Sequence, residues 1–138
     1  MRTLHFGLRV ADLDRSLAFY TAVGYEVIGS VPQTPMGHLT MLKLPGDEFV
    51  TIELVHDPAQ GEVSSGIGLS HFVIKVESLD ASIQELAALG IDAEAPVSPD
   101  GSGDFRTTWV TDPDGNRIEL VQWPPGHADG ITAADWAE

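Results

Sequence analysis

Apolar and polar residues alternate at the start of the chain. Phe6, Leu8 and Val10 are interleaved with His5, Gly7 and Arg9, the period of two that a strand with one buried face requires. A helical pattern follows. Leu13, Leu17, Tyr20 and Val23 fall on one stripe, Asp12 precedes it as an N-cap and Gly24 ends it. The same sequence of patterns returns further on. Phe72, Ile74 and Val76 alternate with His71, Val73 and Lys75. Leu79, Ile83, Leu86 and Leu89 then form a stripe between Ser78 and Gly90.

The two stretches are a repeat with an offset of 66 residues. Residues 5–24 and 71–90 are identical at eight of 20 positions, and Ile52-Glu53-Leu54-Val55 returns whole as Ile118-Glu119-Leu120-Val121. Two copies of a unit this long point to a paired duplication rather than a solenoid. Further strand patterns are expected at about 25–32, 38–44 and 48–56 in the first unit, and at about 91–95, 105–111 and 115–122 in the second. Pro45-Gly46-Asp47 and Asp112-Pro113-Asp114-Gly115-Asn116 supply turns before the last strand of each. The prediction is an α+β domain over 1–138 made of two tandem βαβββ modules. Module one covers about 1–57, a Gly/Ser-containing linker about 58–68, module two about 69–122, and a tail 123–138.

Strand parity turns the repeat into a geometric expectation. Neighbours on a strand point to opposite faces. If Phe6, Leu8, Ile52 and Leu54 pack under the helix, then His5 and Glu53 point away from it, and His71 and Glu119 do the same. Two imidazoles and two carboxylates on such a face suit Zn²⁺, Ni²⁺, Co²⁺, Fe²⁺ or Mn²⁺ better than the oxygen-seeking Mg²⁺ or Ca²⁺. His38, His56 and His127 have no such pairing. His38 is expected in a surface or packing role, His56 on the opposite strand face from Glu53, and His127 exposed in the tail. Trp136 either anchors the tail against a neighbouring module or chain or belongs to disordered last residues, and parity leaves Trp109 open between pocket and core.

Composition narrows the function. With 7 basic and 21 acidic residues the formal net charge is −14, which disfavours nucleic acid as a partner. There is no cysteine, so neither a disulfide framework nor a thiolate can operate. No apolar run reaches membrane-spanning length and no signal-peptide pattern opens the chain. The expectation is a cytoplasmic protein acting on a small molecule.

The opening LHFGLRVADLDRSLAFY, the strand VTIEL, the second start LSHFVIKVESLD and the segment TDPDGNRIELVQ resemble the vicinal oxygen chelate superfamily, and within it glyoxalase I. The resemblance covers about residues 1–122. It implies paired βαβββ modules forming an incomplete barrel around a metal, typically zinc or nickel, held by His5, Glu53, His71 and Glu119. It also implies a homodimer in which a site can combine modules from two chains. The implied reaction isomerises the hemithioacetal of methylglyoxal and a thiol, such as glutathione, to an S-lactoyl thioester through an enediolate. Glu119 is the implied base, and Glu53 a ligand and second base. Arg9 matches a position that contacts the glutathione carboxylate in the family. Asp57 stands where the family often carries an asparagine, and Ile67 where some members carry arginine, so the resemblance is weaker for the thiol than for the metal. Competing readings are a methylmalonyl-CoA epimerase-like enzyme, an extradiol dioxygenase-like enzyme, and an antibiotic-binding relative without catalysis. The full set of four ligands favours glyoxalase over each.

Overall fold

In the computed structural model, residues 1–64, 66 and 68–136 are described. Elements appear in the order β1 (Phe6–Arg9), α1 (Leu13–Val23), β2 (Glu26–Thr34), β3 (Gly37–Lys43), β4 (Ile52–His56), β5 (His71–Lys75), α2 (Leu79–Ala88), β6 (Arg106–Thr111) and β7 (Arg117–Gln122). A short 3₁₀ turn, Ala133–Trp136, follows in the tail. The chain divides into two compact units, Met1–Gly68 together with Asp112–Gly115, and the remainder from Leu69 onward. No helix among the described residues is long and apolar enough to cross a membrane.

Unit 1 is built on a four-stranded open sheet, order β1-β4-β3-β2. β1 and β4 run parallel, with Gly7 opposite Glu53, while β3 pairs antiparallel with β4 and sets Met41 opposite Glu53. Helix α1 starts at Asp12, whose side chain accepts a hydrogen bond from the Arg15 amide, and stops at Gly24 (φ 125°). Its buried face centres on Ser16, Phe19 and Tyr20, a rotation from the expected stripe that brings Tyr20 fully inside. The rings of Phe19 and Tyr25 meet Tyr20 edge-on at 5.1 and 5.7 Å.

The turn 112–115 packs into unit 1 through polar contacts. Tyr20 Oη donates to Asp112 Oδ2 at 2.5 Å, and Asp114 accepts from the Ala11 amide and the Ser16 hydroxyl. Both aspartates are buried. The turn therefore has a second task besides closing a hairpin: its carboxylates satisfy donors on and before α1. Two clean modules were expected from the sequence, and this turn lies with the first of them.

Unit 2 carries a three-stranded open sheet, order β5-β7-β6. The parallel β5–β7 pairing sets Val73 opposite Glu119 and His71 opposite Arg117. β6 pairs antiparallel with β7, with Trp109 opposite Glu119. The strand expected at 91–95 is absent. This segment follows β6 through Glu94 N to Trp109 O (2.9 Å) and the Val97–Thr107 pair, but two residues on one side span one on the other. Pro96 falls in that bulge, where a missing N–H does no harm. The expected β4 also starts late, at Ile52, because Asp47 organises the preceding loop by accepting from the Leu44 amide and the Thr51 hydroxyl.

The core follows parity with two exceptions. Leu8, Ile52, Leu54, Ile74, Ile118 and Leu120 are buried. Phe6, the first residue of β1, is 38% exposed. Leu89, placed on the α2 stripe, is 61% exposed, since the helix ends at Ala88 and Leu89 is its cap.

Candidate active site

In unit 1, Glu53 lies on the face opposite buried Ile52 and Leu54. His5 immediately precedes β1 and brings Nε2 to 3.5 Å from Glu53 Oε2; the imidazole is 42% exposed and the carboxylate 14%. Among the described residues no lysine or arginine pairs with Glu53 or Glu119. A largely enclosed carboxylate beside a lone imidazole is a donor pair that lacks a strong cation.

Unit 2 repeats the layout. His71 lies two residues before Val73, which pairs with Glu119, as His5 lies two before Gly7, which pairs with Glu53. Glu119 is half-buried between buried Ile118 and Leu120. His71 Nδ1 shares a hydrogen bond with the Ser70 hydroxyl at 2.9 Å, and its ring meets Trp109 edge-on at 5.0 Å. The Arg117 guanidinium sits 4.7 Å over the Trp109 ring and donates to Glu94 Oε2 at 2.6 Å. Each unit thus holds one imidazole and one carboxylate. Among the described residues no three histidine or acidic side chains gather at one point. The donor types fit a divalent transition ion, and they are present as two half-sets.

Arg9 and Asp57 are linked through one turn. Arg9 Nη1 donates to Gln60 Oε1 at 3.1 Å, and the Gln60 amide donates to the Asp57 carbonyl. Asp57 Oδ1 accepts from the Ala59 amide at 3.0 Å, so the carboxylate also shapes the loop. Ile67 and Ser65 lie outside the described residues. His38 and His56 face each other across β3 and β4, on the strand face shared with Leu54 and away from Glu53.

The tail departs from expectation. His127 is half-buried, stacks on Trp123 at 4.3 Å and contacts Asp135 Oδ1 at 2.5 Å. The Ala128 carbonyl and the Asp135 carboxylate raise its pKa above the usual histidine range. Phe105 covers another side of Trp123 at 5.2 Å. Trp123 is therefore the tail's anchor, while Trp136 remains 73% exposed. Cavities of about 320 and 340 Å³ flank Trp123 and His127; neither is lined by the four candidate ligands.

With this arrangement in view, comparison with known proteins identifies the lineage. The model of the Glyoxalase/Bleomycin resistance protein/Dioxygenase superfamily matches residues 2–120. The chain belongs to that superfamily. Two relatives named probable lactoylglutathione lyase share the sequence at 32% identity. One, from Vibrio parahaemolyticus, matches over 88% of this chain and 90% of its own length. The other, from Vibrio cholerae, matches over 92% and 94%. Glyoxalase I of Leishmania major, described as trypanothione-dependent, superposes with a TM-score of 0.71 at 28% identity, covering 88% of this chain and 86% of that one. Membership accounts for the doubled plan, complete as βαβββ in unit 1 and one strand short in unit 2.

The sequence left Trp109 open between pocket and core, and the pairing of β6 with β7 places it beside Glu119. A hairpin about the Asp112–Asn116 turn that pairs Thr111 with Arg117 must also pair Trp109 with Glu119. That counting puts Trp109 on the ligand face and was available from the turn alone. The repeat itself could mislead here. Glu53 pairs with Met41 and Glu119 with Trp109, so the 66-residue offset fails on this strand.

Proposed function

We propose that this superfamily member is a metal-dependent isomerase of the glyoxalase I type, converting the hemithioacetal of methylglyoxal and a thiol into an S-lactoyl thioester. The observation that carries the reading is the repeated half-site: one histidine and one glutamate in each unit, in the same register, on the face opposite the buried strand residues. The names of the two Vibrio relatives support the reaction class.

His5, Glu53, His71 and Glu119 would hold the ion, nickel or zinc foremost, with cobalt, iron or manganese compatible with the same donors. A bound divalent ion would supply Lewis-acid stabilisation of the negative charge that develops as the proton leaves. Glu119 takes the proton from the carbon bearing sulfur and oxygen, and returns it to the adjacent carbon. One C–H bond breaks and another forms, the hydroxyl proton on the sulfur-bearing carbon passes to the oxygen of its neighbour, and the carbon–sulfur bond stays intact. Glu53 is a ligand and a second base. Arg9 and the Asp57–Gln60 turn border the thiol, and the acid at Asp57 disfavours a second carboxylate at that end. The working form is a homodimer.

Metal analysis of purified protein, followed by assay of methylglyoxal with several thiols, tests the reading. Glu119→Gln is expected to lower kcat by roughly a hundredfold to ten-thousandfold. A metal-loaded variant of undiminished activity removes Glu119 from the role. No bound metal and no turnover with any thiol leaves a binding protein instead.

A further inference from the structure

Unit 2 contains three basic side chains, and their engagements differ. Lys75 is held by two carboxylates, Glu77 at 2.9 Å and Asp129 at 2.8 Å. Arg106 points to α2, where it pairs with Asp80 at 2.9 Å, and strand alternation puts it with Thr108 and Val110, which are buried. Arg117 is different. It is two residues from Glu119 and directly opposite His71, so it shares the face that carries both candidate ligands. Its guanidinium is spread over Trp109, the residue opposite Glu119. The same indole contacts the His71 ring.

This geometry gives Arg117 two properties of an anion receptor. Its place over the indole restrains the guanidinium, so less freedom is lost when its paired N–H groups meet a carboxylate. Its present partner, Glu94, is easily exchanged. The side chains of Arg117 and Glu94 are 46% and 56% exposed, and an exposed ion pair is weakly held. In a chain of net charge −14, a long-range field disfavours anions, so an anionic substrate needs a local cation at the reacting end.

We propose that Arg117, positioned by Trp109, is the substrate-selecting residue for a carboxylate carried on the thiol, with Glu94 as the internal anion that the substrate displaces. The inference rests on the isomerase reading and narrows its substrate to thiols with a carboxylate reaching the Arg117 side. Arg117 touches substrate; Trp109 acts through it.

The test compares two methylglyoxal adducts of similar size, one from 3-mercaptopropionate and one from its neutral amide, on the metal-loaded full chain. The readout is the ratio of their KM values. Arg117→Met is expected to raise KM for the anionic adduct relative to the neutral one by roughly tenfold to a hundredfold, the range for losing a charge-assisted contact. Glu94→Gln is expected to shift the ratio the other way, by removing the competitor. Trp109→Leu reproduces part of the Arg117→Met shift, and Trp109→Phe restores the ratio because it keeps a ring under the guanidinium. A ratio unmoved by Arg117→Met, or moved in the same direction by Glu94→Gln, overturns the proposal. Calorimetry with the S-methyl thioether of 3-mercaptopropionate needs no turnover and separates the two claims. Arg117-dependent binding in a protein that isomerises neither adduct retains the anchor and removes the isomerase. No binding, or binding indifferent to Arg117→Met, removes the anchor.

Discussion

Tyr20 shows how one buried residue ties chemistry to stability. Its ring is fully enclosed and its hydroxyl has given its hydrogen bond to Asp112. Burial, and next the Asp112 charge, push its pKa far above the ordinary value near 10. Tyr25, the other tyrosine of the chain, is pushed up by burial and by Asp47. The sign follows from linkage. Below about pH 10 both states keep the phenolic protons and neither tyrosine alters stability. Above it the unfolded chain ionises while the folded chain cannot, so each tyrosine lowers stability by about 1.4 kcal/mol per pH unit until the folded value is reached. Phenolate absorbance is therefore expected to rise together with loss of the far-ultraviolet circular dichroism, in one alkaline transition. Phenolate appearing while the dichroism is intact would contradict the buried placement. Tyr20→Phe, which strips the Asp112 carboxylate of a buried donor, is expected to cost about 1.5–3 kcal/mol in denaturant unfolding.

At the scale of elements, Gly37 governs the start of β3. Its φ is 116°, and a Cβ there would stand 2.5 Å from the His56 carbonyl oxygen. Backbone strain and the clash act together, so Gly37→Ala is expected to destabilise by at least about 1 kcal/mol. Urea unfolding measures it; a neutral substitution would mean that β3 does not approach β4 as closely as described. The sequence carried much of this architecture because the apolar period reports directly on burial. The Ile52-Glu53-Leu54 and Ile118-Glu119-Leu120 triplets place both glutamates on the less buried face without any coordinates. Edges and polar docking leave no such periodic trace. Phe6 reads like Leu8, yet as the first residue of β1 it is left exposed. The Ser16 and Tyr20 contacts with Asp112 and Asp114 join residues almost a hundred positions apart, through hydrogen bonds that no hydrophobic pattern encodes. His127 was misplaced for the same reason, since its position comes from stacking on Trp123 and from Asp135.

At the scale of the whole molecule, the duplication divides the proposed metal shell into halves. His5 and Glu53 belong to one unit and His71 and Glu119 to the other, and the two pairs have matching strand register. A two-donor half-set holds a transition ion poorly, because structural and catalytic sites use three or four protein ligands. Function on the proposed reading therefore requires a complete shell, assembled from one chain or from two. Complementation separates these. One variant carries His5→Ala and Glu53→Gln, the other His71→Ala and Glu119→Gln, and each alone is expected to be inactive and deficient in metal. Mixed after reversible dissociation, they form heterodimers in which half the subunits keep each intact pair. If each shell draws its two halves from different chains, a heterodimer holds one complete shell. About half the dimers of an equal random mixture are heterodimers, so metal content and activity are expected to recover to about a quarter of the wild-type dimer's sites. If each shell is completed within one chain, every site in the mixture lacks two donors, and neither metal nor activity returns.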